Sequence, residues 1–333
     1  MQRFAALLLW TASAAMAGDK VETLFASASS KDQRSRAPFA LIATQRTGSR
    51  WIMETFDEQM CDVYPMQTEI FTDRLWCVDR SNEHDPLSSC KRNQTLMREG
   101  LSVIYDTETP VSPELNATSN RISLEVSKIR MRDHPNAYGI KWMTNQGLDE
   151  QWPFFLELAK ARGIKLLFLH RRDYLRMIIS RIHMSDAKLD PHPHHEDAVE
   201  KIRNTLVVLP TGKELIKLLD YTKEKFGKMN EYREQAERAG VVAKNLVYED
   251  MNPEKFTNTW RWLVKDLNLT MSPCDETTLL PLNESKSIAI HTAPLRTYVR
   301  NWEEVARTLR KSPYRRFIED VPGRRRLKRR RGK

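Results

Sequence analysis

Two kinds of hydrophobic pattern alternate along this chain. Mostly apolar runs lie near residues 39–44, 138–143, 164–170 and 242–248, and the first of them is uninterrupted by charge from Phe39 to Ala43. Such runs predict strands that are buried on both faces of a parallel sheet. Between them, apolar residues recur at spacings of three and four, which predicts amphipathic helices. The alternation predicts an α/β fold of three layers, in which helices cover both faces of a central parallel sheet.

A polar loop follows the first predicted strand. From Phe39 to Trp51 the chain passes from apolar residues through Thr-Gln-Arg-Thr-Gly-Ser-Arg into helical spacing. The first backbone N–H groups of a helix have no intrahelical partner, and the helix dipole favours an anion there. Gly48 permits the positive φ that a tight turn needs. Further donors around this point come from Arg46, Thr47, Ser49 and Arg50. The pattern predicts a strand-loop-helix cradle for phosphate or sulfate.

This loop differs from that of the proteins that bind nucleoside triphosphates. Their pattern G-x-x-x-x-G-K-[ST] is absent, and the basic residue Arg46 stands before the glycine instead of after it. A kinase or NTPase function is therefore disfavoured.

The string Arg-Thr-Gly-Ser-Arg-Trp after a strand resembles the 5′-phosphosulfate loop of the sulfotransferases that use 3′-phosphoadenosine-5′-phosphosulfate (PAPS). The resemblance implies a P-loop-like fold, PAPS as the sulfuryl donor and no required metal. It also implies that the 5′-phosphosulfate is bound by Arg46, Thr47, Gly48, Ser49, Arg50 and Trp51.

A second segment is similar to the family's 3′-phosphate motif, which has an arginine at a strand end and a serine eight positions later. Here Arg172 follows the predicted strand at 164–169, and Ser180 lies eight residues further on. The variant His-Arg-Arg-Asp-Tyr-Leu-Arg most resembles the carbohydrate sulfotransferases of the bacterial and Golgi type. Both residues are therefore expected to bind the cofactor.

Two later segments complete the resemblance in the family's order. Tyr248, in Tyr-Glu-Asp-Met, stands where the family places an adenine contact. Arg296 and Arg300 stand in a late segment that resembles the one closing over the 3′-phosphate. The four segments together span residues 38–309.

The resemblance also suggests catalytic residues. Glu69 lies 23 residues after Arg46, where carbohydrate and tyrosyl sulfotransferases place a glutamate, and we expect it to act as the general base. Arg46 and Lys141 are expected to meet the leaving group and the sulfuryl oxygens. A surface role for Glu69 and a purely structural role for Lys141 stay open, and His183 or His170 would be the fallback base.

The expected reaction is transfer of a sulfuryl group from PAPS to a hydroxyl or amine acceptor, with a carbohydrate favoured. Two alternatives stay open. One is transfer to a protein tyrosine, and the other is a secreted, non-catalytic protein that binds polyanions. We expect no nucleic acid partner.

The N-terminal residues predict an entry into the secretory pathway. Residues 1–17 combine Arg3, an apolar stretch and Ala15-Met16-Ala17, which is typical of a signal peptide; a short signal anchor, and with it a membrane attachment, is the alternative. We assign residues 18–36 to a linker, 37–312 to the sulfotransferase domain and 313–333 to a basic, disordered tail. The expected location is the Golgi lumen or outside the cell.

Sequons and cysteines fit that compartment. Asn93, Asn116, Asn268 and Asn283 each begin an N-x-[ST] sequence and are predicted glycosylation sites. The four cysteines, Cys61, Cys77, Cys90 and Cys274, permit two disulfides in three pairings, and buried free thiols are the alternative.

The net charge of +10 comes mostly from the C-terminus. Residues 323–333 hold eight basic side chains and no acidic one, so the rest of the chain carries only +2. Such a block can bind a polyanion with salt-dependent affinity. An acidic polysaccharide is therefore an expected partner, and a solvated terminus or a processing signal is the alternative.

Overall fold

Five parallel strands form the centre of the fold. They are β1 (Ala37–Ala43), β2 (Val63–Met66), β3 (Ala137–Met143), β4 (Lys165–His170) and β5 (Ala243–Val247), in the spatial order β2-β3-β1-β4-β5. The computed structural model describes residues 37–45, 47–59, 63–66, 71, 76, 92–106, 109–131, 137–186, 205–251, 263 and 294–319. The predicted α/β class with a central parallel sheet is confirmed.

Helices connect and cover the strands. They are α1 (Ser49–Gln59), α2 (Gln94–Tyr105), α3 (Pro113–Thr118), α4 (Asn120–Met131), α5 (Leu148–Arg162), α6 (Tyr174–Asp186), α7 (Gly212–Arg238), α8 (Trp302–Arg310) and α9 (Arg316–Glu319). Short 3₁₀ turns follow β5 at Tyr248–Asp250 and precede α8 at Leu295–Thr297. No helix in the described part of the chain is long and apolar enough to cross a membrane.

Helix α1 packs on one face of the sheet. Alternate residues of a strand point to the same face, and Phe39 and Leu41 belong to the same buried cluster as Ile52 and Phe56 of α1. The rings of Phe39 and Phe56 lie 5.1 Å apart. This cluster anchors the helix that begins immediately after the predicted anion loop.

Helix α5 packs on the opposite face. Ile42 is paired in register with Trp142 on one side and with Phe168 on the other, so these side chains share a face. The Trp142 ring meets Phe155 of α5 edge-on at 5.1 Å, and Trp152 of α5 meets Phe168 at 6.3 Å. Helices therefore cover both faces of the central strands.

Among the strands that the structure describes, β2 is the one that the apolar pattern did not predict. It is only four residues long and contains Pro65, which pairs with Gly139 of β3 at the edge of the sheet. An edge strand tolerates proline because one side of its backbone makes no ladder hydrogen bonds.

The packed chain continues past residue 312, the last residue that we placed before the basic tail. Tyr314 and Phe317 are buried in a second cluster, together with Leu175, Ile178 and Val299. The hydroxyl of Tyr314 donates to Asp220 of α7 at 2.6 Å. Residues 320–333, like the predicted signal segment and linker, lie outside the described residues.

We predict opposite effects from two glycine-to-alanine changes. A Cβ at Gly139 would lie 2.6 Å from Cδ2 of Phe39, in the centre of the β1–β3 pair. Gly139→Ala should therefore lower the free energy of unfolding by about 1–3 kcal/mol, the usual range for overpacking. Gly227→Ala, in the middle of α7 with no neighbour within 4 Å, should raise it by about 0.5–1 kcal/mol. Urea unfolding measures both, and equal effects would contradict the packing described for β1 and β3.

Candidate functional site

The carboxyl ends of β1 and β4 lie side by side. The two strands pair in register from Phe39 opposite Lys165 to Ala43 opposite Leu169. The connection after β1 leads to β2 at one edge of the sheet, and the connection after β4 leads to β5 at the other edge. In open α/β sheets ligands bind in the crevice where connections diverge in this way. The candidate site therefore lies at the ends of these two strands.

The loop after β1 turns sharply at Gly48. The φ angle of Gly48 is +89°, a conformation that other residues rarely adopt. The N–H of Ile52 donates to the Gly48 carbonyl at 3.3 Å, so the first helical hydrogen bond of α1 begins there. The hydroxyl of Thr47 is buried and donates to the Thr44 carbonyl at 2.8 Å, which closes the loop on itself.

Tyr248, at the end of β5, packs against this loop. A Cβ added to Gly48 would clash with Cε2 and Cδ2 of the Tyr248 ring. The ring also meets Trp51 edge-on at 6.4 Å, and the Arg171 guanidinium lies over it, 4.5 Å from its centroid. The structure thus brings together three of the predicted cofactor residues, Gly48, Trp51 and Tyr248.

The other loop residues have different partners. Ser49 Oγ lies 4.0 Å from Sδ of Met143, and Arg50 forms an ion pair with Glu54 at 2.5 Å, one turn along α1. Arg46 lies outside the described residues, between Gln45 and Thr47, which are described.

Asp173 caps the helix that follows β4. Its Oδ1 accepts the N–H of Arg176 at 2.9 Å and its Oδ2 accepts Nε of Arg176 at 3.1 Å. Both side chains are only 9% exposed. A capping aspartate both satisfies an N–H group of the first turn and complements the helix dipole, so the start of α6 is firmly defined.

Two acidic side chains from the end of β5 hold the loop before α6. The Glu249 carboxylate accepts the backbone N–H of Arg172 at 2.9 Å and that of Asp173 at 3.0 Å. The Asp250 carboxylate accepts from both terminal nitrogens of Arg172, and the bond from Nη1 to Oδ1 measures 3.1 Å. The side chain of Arg172 stays 57% exposed. Neither acidic residue was predicted to belong to the site, although both directly follow Tyr248 in Tyr-Glu-Asp-Met.

The remaining predicted cofactor residues lie on or beside α6. Ser180 lies in the second turn of α6 and is half-buried. Arg296 and Arg300 are exposed and line a surface cavity of about 410 Å³ together with Trp302. Their segment packs on α6 through the cluster that contains Tyr298 and Val299. The structure thus places the segment that carries these arginines beside the helix that Arg172 precedes.

Of the predicted catalytic residues, the structure describes only Lys141. It lies two residues before the end of β3, pairs in register with Leu41 and is 5% exposed. By strand alternation it lies on the face that α1 covers. Glu69 and Arg46 lie outside the described residues, so their roles stay predictions.

The two fallback histidines are buried to different degrees. His183 is fully buried in α6, and its Nε2 hydrogen-bonds to the Thr205 carbonyl. His170, the last residue of β4, packs at 5.3 Å against the Phe226 ring. Burial lowers the pKa of His170 from its usual 6.5, partly offset by a hydrogen bond with Asn245. A lowered pKa keeps this ring neutral at the end of β4.

The sequons and cysteines are described only in part. Asn93 caps α2, where its side-chain oxygen accepts the N–H of Leu96 at 3.1 Å, and Asn116 is exposed on α3. Asn268, Asn283 and all four cysteines lie outside the described residues. Within the described ranges, no cluster of His, Cys, Asp and Glu side chains could hold a metal ion.

No protein-family model, curated protein or solved structure matches this chain.

We predict that the contact between Gly48 and Tyr248 shapes the first loop. Gly48→Ala should cost about 1–2 kcal/mol for the left-handed backbone and about 1–3 kcal/mol more for the clash with the ring. Gly163→Ala is a matched control, because its φ is +64° and nothing lies within 4 Å. In a Tyr248→Ala background the cost of Gly48→Ala should fall to that of the control. Urea unfolding of the single and double variants measures the difference, and an unchanged cost would refute the contact.

We predict that His170 makes the fold less stable in mild acid. The unfolded chain titrates this ring near pH 6.5 and the folded protein at a lower pH. Between these two values the unfolded state binds more protons, so the free energy of unfolding falls as the pH drops below about 6.5. His170→Phe keeps a ring against Phe226 and removes the titration. Urea unfolding at pH 7.5 and pH 5.5 should show a smaller loss for the variant, and equal losses would contradict the prediction.

Proposed function

We propose that this protein is a sulfotransferase that transfers a sulfuryl group from PAPS to a hydroxyl or amine of a carbohydrate. One observation carries the proposal. Two strand-loop-helix units begin with adjacent strands, β1 and β4. Tyr248 packs against Gly48 of the first unit and Arg171 of the second. A nucleotide with phosphate groups at both its 5′ and 3′ positions needs two such anion sites beside an aromatic surface.

The first unit would bind the 5′-phosphosulfate. The positive φ of Gly48 turns the chain into α1, whose N-terminal N–H groups and dipole attract an anion. The anchoring of α1 by Phe39 and Phe56 fixes the direction of these groups. In this proposal the cradle is P-loop-like, and the Arg46 side chain adds a charge-assisted donor to it.

The second unit would bind the 3′-phosphate through Arg172. Its guanidinium is exposed and carries five N–H donors. Two of its nitrogens, Nη1 and Nη2, donate to the Asp250 carboxylate. Ser180, Arg296 and Arg300 would contribute from α6 and from the segment packed on it. Tyr248 would present its ring to the adenine.

Catalysis would require alignment, proton removal and stabilisation of charge. The acceptor oxygen or nitrogen attacks the sulfur atom in line with the bridging oxygen, the bond from sulfur to that oxygen breaks, and 3′,5′-adenosine bisphosphate leaves. Glu69 takes the proton of the acceptor. Arg46 and Lys141 stabilise the negative charge on the leaving phosphate and the sulfuryl oxygens. The preference for a carbohydrate acceptor and for the secretory pathway rests on the sequence resemblance and on the predicted signal segment.

We predict that 3′,5′-adenosine bisphosphate binds to this site. Calorimetry should show binding to the wild type and a loss of about 10- to 100-fold in Arg46→Ala and in Arg172→Ala, because each removes charge-assisted hydrogen bonds worth about 1.5–3 kcal/mol. Arg238→Ala is the control. Arg238 is exposed at the end of α7, near the amino end of β5, and so lies at the end of the strands opposite to the proposed site.

Two outcomes would count against the proposal. Folded wild-type protein that does not bind the nucleotide would exclude PAPS as the donor. Loss of nucleotide binding on removal of residues 323–333 would favour the alternative that the chain is a polyanion-binding protein acting through its basic tail. We expect that truncation to leave nucleotide affinity unchanged.

A further inference from the structure

The Glu249 carboxylate lies where the proposed function places an anion. It lies at the start of α6, where it accepts the N–H groups of Arg172 and Asp173. The start of a helix attracts negative charge, and the proposed function places the 3′-phosphate beside Arg172. A negative side chain is thus built into the edge of a site that is proposed to bind an anion.

The sheet explains how Glu249 reaches this loop. His170 of β4 and Val247 of β5 are register partners, and both strands run in the same direction. Arg172 and Glu249 each lie two residues past that pair. The 3₁₀ turn at Tyr248–Asp250 places Glu249 and Asp250 beside the end of the neighbouring strand. There Glu249 accepts the backbone N–H of Arg172, and Asp250 accepts from its guanidinium.

Glu249 and Asp250 bind different groups of the loop before α6. Glu249 binds the backbone N–H groups, and Asp250 binds the guanidinium of Arg172 through Nη1 and Nη2. Glu249 also lies 4.0 Å from Nε of Arg171, whose guanidinium covers the Tyr248 ring. One three-residue turn therefore connects the loop before α6 to the aromatic ring that packs against Gly48.

We propose that Glu249 is a positioning residue for the second anion site, a role that rests on the proposed function. By fixing the backbone of residues 172 and 173, it fixes the point from which the Arg172 side chain extends, and Asp250 then holds the guanidinium. The hydrogen-bond acceptors of Glu249, and not its negative charge, are what the site uses. The charge itself opposes a phosphate that binds nearby.

Two substitutions separate these contributions. Glu249→Ala removes both the acceptors and the charge, whereas Glu249→Gln removes the charge and keeps an amide oxygen. One oxygen suffices, because Oε1 of Glu249 accepts from both Arg172 and Asp173 at 3.0 Å. If Glu249 instead merely competed with the phosphate for the start of α6, both substitutions would strengthen nucleotide binding.

Calorimetry with 3′,5′-adenosine bisphosphate tests the proposal. We expect Glu249→Ala to bind about tenfold more weakly than the wild type, and Glu249→Gln to bind at least as tightly. Glu224→Ala, an exposed site on α7, should match the wild type. In transfer assays Glu249→Ala should raise KM for PAPS and leave kcat nearly unchanged, whereas a loss of folded protein would lower kcat. Equal or tighter binding by Glu249→Ala overturns the proposal.

Hydrogen exchange in the unliganded protein tests the same residue without a nucleotide. The amides of Arg172 and Asp173 should exchange about tenfold faster in Glu249→Ala and at nearly the wild-type rate in Glu249→Gln. If the wild type binds no nucleotide but the amides behave in this way, the proposed function fails and the positioning of the loop by Glu249 stands. If neither variant changes exchange, the positioning role is wrong even when the nucleotide binds.

Discussion

The pairing of β1 with β4 is the constraint on which the rest of the site depends. Their register brings the loop before α1 and the loop before α6 together at the carboxyl end of the strands, although more than a hundred residues separate these loops in sequence. The chain leaves these two strands in opposite directions, from β1 toward β2 and from β4 toward β5, and a crevice that can bind a ligand forms where connections diverge in this way. Both faces of this pair are covered by helices whose aromatic residues fill the core.

At the carboxyl ends of β4 and β5, side chains of opposite charge lie close together. Arg171, Arg172 and Arg176 face Asp173, Glu249 and Asp250. Such a network holds the guanidinium groups in defined directions before any ligand arrives, and preorganised donors contribute more to anion binding than mobile ones. Two of its acidic members, Glu249 and Asp250, come from the turn after β5, so the proposed second anion site depends on a third strand. Tyr248, in the same turn, connects this network to Gly48.

The outline of the fold was predictable because buried parallel strands leave a strong local signal. Four of the five strands lie in mostly apolar runs, of which only β1 is uninterrupted, and α1 and α6 follow from residues spaced three and four apart. Strand β2 was not predictable, because four residues with a proline at their centre carry little pattern and are held in place by pairing with β3. The packing of Tyr314 and Phe317 was hidden by the basic residues around them, since two buried rings do not stand out in a charged segment.

The sequence by itself determined the strand-loop-helix units, the glycine at the first turn and the basic residues near both loops, because each depends on neighbours along the chain. Only the tertiary structure decided that Tyr248 lies against Gly48 and that Glu249 and Asp250 hold Arg172. These contacts join residues 77 or more positions apart, and they exist because parallel pairing sets β4 beside both β1 and β5. Local patterns determine whether a segment prefers helix or strand, whereas the order of the strands determines which residues lie beside a charged side chain.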